Sequence, residues 1–243
     1  MSRKIRAFVD ESIEEIGQEV LLTAEESVHL SRVLRLRTGN LVELLDGRGG
    51  CFSAECLEVN RSEVRLVVRS MDSFPPSQMG VRMCIALTKG GKWEELIRPL
   101  TELGVHRLTP ILTERAEGSF SEKKLEERKS RWSRLAREAC KQSGNPWLPI
   151  FDDPVDLRQL LSSEEEGESR WMGSLNQTVR GLNPPSDARL ISILIGPEGG
   201  WSPAEEEFAQ EKEISFFRMA DHVLRMDTAA ISALAVARAR LFC

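Results

Sequence analysis

A glycine-rich segment near the C-terminal end of the chain has the composition of a ligand-binding loop. An apolar run over residues 190–195 leads into Gly196-Pro-Glu-Gly-Gly, and Ser202 is then placed to cap a helix that begins at Pro203. Glycines let backbone N–H and C=O groups approach a ligand closely, and the helix N-terminus adds a positive dipole end. Three interpretations stay open: a phosphate-binding loop, a tight structural turn, and a pocket of backbone groups that binds an adenosine-type cofactor.

The phosphate interpretation is the weakest of the three. The segment lacks the lysine that follows the glycines of a P-loop, and it lacks the GxGxxG spacing of dinucleotide-binding turns.

A second charged loop follows, in the segment MADHVLRMDTAA that starts at Met219. A predicted strand ends near Met219 and a predicted helix begins near Thr228, so Arg225 and Asp227 lie between them. Loops at the carboxyl ends of parallel strands face the same crevice, and two such loops predict a pocket. The alternative is that Asp227 only caps the helix and Arg225 pairs with it.

Basic residues occur at positions where they could contact a polyanion. Lys89 and Lys92 flank a Gly pair after a predicted strand. Arg32 and Arg35 fall on one face of a predicted helix, and Arg37 follows it. An arginine-bearing helix is suited to a phosphate backbone, but solvated lysines and a plain amphipathic helix would show the same patterns.

The overall composition is that of an ordinary globular protein. The 243 residues are 41% hydrophobic and 29% charged, which suggests one large or two smaller domains. No apolar run is long enough for a membrane span and no signal peptide is recognisable, so a cytoplasmic protein without membrane association is expected. Net charge is −5, but basic residues outnumber acidic ones in residues 82–147, which favours selective contact with a polyanion.

The cysteines and histidines indicate neither a disulfide framework nor a metal site. The five cysteines form no CxxC pair, and the three histidines form no HxH or HExxH pattern. We expect reduced structural thiols and no metal.

The predicted elements divide the chain at the proline-containing segment 70–80. Residues 1–72 are predicted to form a small β-barrel with one helix, 73–80 a linker, and 81–243 an α/β domain with a mainly parallel sheet. The strands are predicted at 5–9, 19–22, 41–45, 51–59, 63–69, 81–87, 105–111, 148–151, 169–173, 190–195 and 214–219. The helices are predicted at 24–34, 93–103, 122–142, 154–161, 203–210 and 228–241.

The order of these segments resembles one family, the 16S ribosomal RNA uridine-N3 methyltransferases of RsmE type in the SPOUT superfamily. The resemblance covers nearly the whole chain and is carried in the first domain by HLSRVLRLRTGN and LLDGRGG. In the second domain it is carried by TKGGKWEELIRPLTELGV, ILTERA, RWSRLAREACKQSG, LIGPEGGWSPAEEE and VLRMDTA.

The resemblance implies a PUA-like β-barrel followed by an α/β methyltransferase domain with a deep trefoil knot. It also implies a homodimer, S-adenosylmethionine (SAM) bound in the knot, and methylation of N3 of a uridine. The expected partner is 16S ribosomal RNA or the assembled small subunit.

The resemblance also implies roles for individual residues. Arg225 and Asp227 are the expected catalytic residues, with Glu198 as the next carboxylate. The expected cofactor-binding residues are Met172, Gly173, Leu194, Ile195, Gly196, Gly199, Gly200, Met219, Val223, Leu224, Arg225, Met226, Thr228 and Ala229. The expected RNA-binding residues are Arg32, Arg35, Arg37, Lys89, Lys92 and Arg115.

Three positions depart from the family pattern. Ala220 stands where Gly is usual, Asp227 replaces the usual Glu, and Asn145 stands where Arg is common. The rival functions are a SPOUT enzyme that methylates a ribose 2′-hydroxyl and a catalytically silent RNA-binding assembly factor. A phosphate-binding enzyme that does not act on RNA is the third.

Overall fold

The structure is a computed structural model that describes residues 4–88, 92–116, 122–174, 181–185 and 187–241. The chain forms two compact units. The first comprises Met1–Pro76 with Arg137–Leu148, and the second comprises Ser77–Ala136 with Pro149–Cys243.

The first unit contains a five-stranded mixed sheet, which corresponds to the predicted small β-barrel. Its strands are β1 (Arg6–Phe8), β2 (Glu19–Leu21), β3 (Leu41–Leu45), β4 (Gly50–Val59) and β5 (Val64–Ser73), in the order β1-β3-β4-β5-β2. The β1–β3 pair is parallel and the other pairs are antiparallel. Two register shifts between β4 and β5 bend this long hairpin, as bulges do.

Alternation along β4 builds the core of this unit. Phe52, Ala54 and Cys56 are buried while the residues between them are only partly buried. They pack with Val42 and Leu66 in one hydrophobic cluster, so the strands present one apolar face to the core.

The helix predicted over residues 24–34 is correct only in its first part. Helix α1 (Ala24–Val28) continues into a π-helical turn at His29–Val33. The Leu36 amide then donates to the Leu30 carbonyl at 3.0 Å, and Arg35 adopts a left-handed backbone with φ 53°. Arg35 therefore lies beyond the helix, and the prediction that it shares a helical face with Arg32 is wrong.

The second unit contains a seven-stranded sheet in which every pair is parallel, as predicted. Its strands are β6 (Gly80–Ala86), β7 (Arg107–Leu112), β8 (Ile150–Phe151), β9 (Val155–Asp156), β10 (Glu168–Gly173), β11 (Leu190–Ile195) and β12 (Ser215–Phe217). The order is β12-β10-β11-β6-β7-β8, and β9 also pairs with β7. All six residues of β11 are buried, as expected of a strand covered on both faces.

The helices of this unit differ from prediction in some of their bounds and in one interruption. They are α2 (Lys92–Glu95), α3 (Ile97–Glu102), α4 (Glu122–Ser143), α5 (Leu157–Ser162), α6 (Pro203–Glu211) and α7 (Met226–Leu241). The single helix predicted at 93–103 is interrupted at Leu96, because Pro99 has no N–H to donate to the Glu95 carbonyl. Helix α5 begins later than predicted because the Asp156 carboxylate caps it by accepting two backbone amides.

The segment Arg137–Leu148 belongs to the first unit, although the sequence analysis placed it in the second domain. Cys140, in the last turns of α4, packs with Phe8 and Leu45. The Arg6 guanidinium donates to two backbone carbonyls at the end of the same helix, each at 3.0 Å. Hydrophobicity periods locate a helix but do not show which unit its end packs against.

Among the described residues, none of the helices is both long and apolar enough to cross a bilayer. The same residues contain no cluster of three His, Cys, Asp or Glu side chains that could hold a metal ion. The four described cysteines are free thiols, and burial raises the pKa of both Cys84 and Cys140 to about 12.

A buried carboxylate joins the start of α6 to the segment that follows β7. Glu205 accepts the Ser202 amide at 2.7 Å, while the Ser202 hydroxyl accepts the Glu205 amide at 3.1 Å. The other Glu205 carboxylate oxygen accepts the Glu114 amide at 2.9 Å. The capping box thus also fastens a second loop at the same edge of the sheet.

We expect Glu205→Ala to lower the free energy of unfolding by about 2–3 kcal/mol, because two backbone amides lose their acceptor. Glu205→Gln should have a smaller effect, because its amide group retains one acceptor oxygen. Urea denaturation measures both. Exposed Glu207 on the same helix supplies the control, and an equal loss in Glu207→Ala would contradict the assignment.

Candidate functional site

A cavity of about 340 Å³ lies where β10, β11 and β12 end. Its walls are the loops at 173–174, 195–201 and 217–224, together with Arg115, Glu206, Met226 and Ala229. This volume lies within the ~300–1,000 Å³ typical of small-molecule sites, and strand ends are where parallel sheets bind ligands.

Most of the predicted cofactor residues line this cavity. Those that do are Gly173, Ile195, Gly196, Gly199, Gly200, Met219, Val223, Leu224, Met226 and Ala229. Met172 and Leu194 do not, because both are wholly buried inside the sheet. Arg225 and Thr228 are exposed and also lie outside the cavity wall.

The glycine loop, residues 196–200, is held in place by one tryptophan. The Trp201 indole donates to the Gly173 carbonyl at 2.7 Å, and so ties the loop to the end of β10. A Cβ at Gly196 would lie 3.0 Å from the Trp201 ring, so only glycine leaves the ring in place. The Gly200 amide donates to the Pro197 carbonyl at 2.8 Å, with φ 68° at Gly200. The loop is therefore a tight turn and also one wall of a cavity.

A carboxylate on the cavity wall was missed by the sequence analysis. Glu206 lines the cavity beside Ser174, whose hydroxyl donates to the Glu206 carboxylate at 2.6 Å. Sequence reasoning treated the three glutamates of AEEEF as the start of a helix. Their packing separates them: Glu205 caps the helix, Glu206 faces the cavity and Glu207 is exposed.

Arg218 was also missed, and it shapes the loop after β12. Its guanidinium donates to the carbonyls of Ala220 and Asp221 at 2.8 and 2.9 Å. Among the described non-glycine residues only Arg35 and Glu213 have positive φ, so Ala220 has an ordinary backbone and glycine is not required there.

The other departures from the family pattern also have local roles. The Asn145 side-chain oxygen accepts the Trp147 amide at 3.0 Å and stabilises the turn after α4. The Asp227 carboxylate accepts the Thr228 amide at 2.7 Å in the first turn of α7, where the helix dipole favours a negative charge.

The predicted catalytic residues are both exposed and do not pair with each other. Helix α7 begins at Met226, two residues earlier than predicted, so Asp227 lies inside the helix. Within the part of the chain that the structure describes, no ion pair joins Arg225 to a carboxylate. The alternative in which Arg225 pairs with Asp227 is therefore wrong.

The basic residues of the first unit remain available for an anionic partner. Arg32, Arg35 and Arg37 are exposed, and their guanidinium groups form no ion pair with any described residue. Beside them Val33 is 65% exposed, so the segment presents an open surface.

The basic residues of the second unit lie beside the glycine loop. The Lys92 ammonium pairs with the Glu198 carboxylate. The Arg115 guanidinium donates to the Gly199 carbonyl at 2.7 Å. Lys89, predicted with them, lies outside the described residues.

Comparison with protein families gives two matches in chain order. Residues 22–69 match an RNA methyltransferase PUA domain, and residues 75–238 match an RNA methyltransferase domain. The second match covers the whole cavity wall.

Individual relatives agree with these matches. A ribosomal RNA small subunit methyltransferase E of Synechocystis is 34% identical in an alignment of 233 residues that covers 93% of this chain and 75% of the relative. The Bacillus subtilis protein of the same name is 28% identical over 96% of this chain and 94% of its own length.

Solved structures show the same fold. A putative methyltransferase of Legionella pneumophila, determined with bound SAM, is 26% identical with a TM-score of 0.83 over 98% of each chain. A ribosomal RNA small subunit methyltransferase E of Neisseria gonorrhoeae, bound to S-adenosyl methionine, is 24% identical with a TM-score of 0.88 over 98% of each chain.

We expect Gly196→Ala to lower the free energy of unfolding by roughly 1–3 kcal/mol, because the new methyl group crowds the Trp201 ring, which must shift. At Gly199 a Cβ would lie 3.6 Å from Arg115, an ordinary contact, so Gly199→Ala is the matched control. Urea denaturation of both variants measures the difference. Equal stability of the two variants would show that Trp201 does not restrict position 196.

Proposed function

This chain belongs to the RNA methyltransferase family, and on that premise we propose that it transfers a methyl group from SAM to N3 of a uridine in 16S ribosomal RNA. One observation carries the proposal. The cavity at the ends of β10, β11 and β12 lies within the matched methyltransferase domain, in a chain that aligns over 93% of its length with a small-subunit ribosomal RNA methyltransferase.

The cavity wall suits SAM chemically. The glycine loop and the loop after β12 offer backbone N–H and C=O groups for an adenine and a ribose. Ile195, Leu224 and Met226 offer apolar contact. Glu206 offers a carboxylate for a cationic or hydroxyl-bearing part of the ligand, and the Ser174 hydroxyl fixes its orientation. Together, these backbone, apolar and carboxylate groups fit an adenosine derivative that carries positive charge.

When bound, SAM supplies a methyl group attached to a positively charged sulfur. The chain contributes alignment of donor and acceptor, which can provide about 7–11 kcal/mol of the barrier in such reactions. The uridine N3 proton must also leave, and because N3 is normally base-paired, the uridine has to be unpaired or flipped out.

We assign Arg225 the role of contacting the uracil base. It is exposed directly before α7, and in the described part of the chain its guanidinium has no carboxylate partner. A positive charge here would orient the uracil and stabilise negative charge that develops on N3 and its neighbouring oxygens. We assign Asp227 as the proton acceptor, and its contact with the Thr228 amide holds it in place.

The first unit would supply an RNA-binding surface. Arg32, Arg35 and Arg37 are exposed in the region that matches a PUA domain of RNA methyltransferases. Such contacts would make RNA affinity fall steeply with salt concentration. The homodimer and the knot, which the resemblance implies, and the cytoplasmic location expected from the sequence belong to the same proposal.

Small ribosomal subunits from a strain that lacks this gene should accept label from methyl-labelled SAM, and the modified nucleoside should be 3-methyluridine. Mass spectrometry of digested RNA identifies the product, and mature wild-type subunits serve as the already methylated control. A 2′-O-methylated nucleoside would contradict the uridine N3 assignment. Cofactor binding without transfer to any RNA would favour a silent binding factor.

We expect Arg225→Ala to slow single-turnover methylation by ~10²-fold while SAM affinity changes little, because the side chain acts on the uracil. Arg134→Ala, at an exposed arginine on α4, is the control. Rapid-quench methylation and calorimetric SAM titration give the two quantities. An undiminished single-turnover rate would remove Arg225 from the mechanism.

A further inference from the structure

Two successive residues of the segment after β7 bond to the first turn of α6 and to the glycine loop that precedes it. The Glu114 amide donates to the Glu205 carboxylate at 2.9 Å, and the Arg115 guanidinium donates to the Gly199 carbonyl at 2.7 Å. A bond from a charged donor is shorter and stronger than a neutral one. Arg115 also lines the cavity itself. The contact therefore orients a peptide group in the cavity wall.

The glycine loop needs such an external contact. Gly199 and Gly200 have no side chains to anchor them, and glycine has more backbone freedom to lose than any other residue. The aliphatic part of Arg115 lies along this bare backbone, with its Cδ 3.6 Å from where a Gly199 Cβ would stand. Arg115 therefore packs on the loop and also binds it.

A second basic residue holds the same loop from another direction. The Lys92 ammonium, at the start of α2, pairs with the Glu198 carboxylate. Lys92 is 50% exposed and Glu198 56% exposed, so solvent weakens this pair. Arg115 is exposed as well, but it combines a bond to a backbone carbonyl with packing on Gly199, so we expect the Lys92 pair to contribute less.

We infer that Arg115, with Lys92 in a lesser role, is a positioning residue that holds the glycine loop in its ligand-binding conformation. This role differs from the RNA-binding role that the sequence analysis expected for both residues. Their charged groups are directed at the loop, whereas Arg32, Arg35 and Arg37 have no such partner among the described residues. The inference rests on the proposed function, because it takes SAM as the ligand of the loop.

The test compares Arg115→Met with the unsubstituted full chain in two binding assays. Calorimetric titration with SAM, without RNA, should show affinity weakened about tenfold, as expected for loss of a hydrogen bond from a charged group. Titration of labelled small-subunit ribosomal RNA over a series of salt concentrations should show unchanged affinity and slope. In methylation assays KM for SAM should rise, while kcat at saturating SAM stays within about twofold.

Three controls separate positioning from loss of structure. Urea denaturation of the ligand-free protein should give a similar unfolding free energy for Arg115→Met. Arg115→Lys retains the charge but not the planar group, and should weaken SAM binding by an intermediate factor. Arg134→Met removes an exposed arginine on α4 and should leave both assays unchanged.

The Lys92–Glu198 pair can be tested by exchanging the charges. Lys92→Glu should weaken SAM binding about two- to threefold, and the double variant Lys92→Glu with Glu198→Lys should recover most of that loss. A double variant no better than the single one would remove Lys92 from the inference.

The outcomes distinguish this inference from the proposed function. Unchanged SAM affinity in Arg115→Met, with an RNA salt slope reduced by about 1, would restore the RNA-contact role and overturn the inference alone. Absence of SAM binding by the unsubstituted chain would overturn both.

Discussion

The hydrogen bond from the Trp201 indole to the Gly173 carbonyl is the contact on which the candidate site depends. It joins the loops that follow two neighbouring parallel strands, β10 and β11. It also holds the aromatic ring where a side chain at position 196 would otherwise lie. Gly196 thereby packs against the Trp201 ring, and Gly196, Gly199 and Gly200 contribute backbone to the cavity wall.

The buried Glu205 carboxylate extends this arrangement to a third loop. Because its two oxygens accept amides from the start of α6 and from the segment after β7, three strand-end loops are linked to one another. Each link pairs one side chain, that of Trp201 or of Glu205, with backbone groups, so the arrangement depends on those two residues.

The sequence predicted the parts of the structure that depend on local patterns. Continuous apolar runs and their spacing gave the parallel sheet, and Ser202 with Pro203 gave the start of α6. The π-helical turn after Val28 was missed because it arises from backbone hydrogen bonds that hydrophobic spacing does not record. The break at Leu96 was missed because the apolar spacing continues through Pro99, whose missing N–H interrupts the helix. The cavity-facing role of Glu206 was missed for a related reason, since three adjacent glutamates look alike until packing separates them.

Long helix α4 is shared between the two units, because its first part belongs with the second unit and Arg137 onward belongs with the first. The sheet of the first unit is encoded entirely before Pro76, yet the residues that cover Phe8 and Leu45 come from the far end of α4. On a translating ribosome, that sheet emerges well before its covering segment has been synthesised. The contacts of Phe8 and Leu45 with Cys140 therefore form only after more than half of the chain has been made, whereas the rest of the core of this sheet is available much earlier.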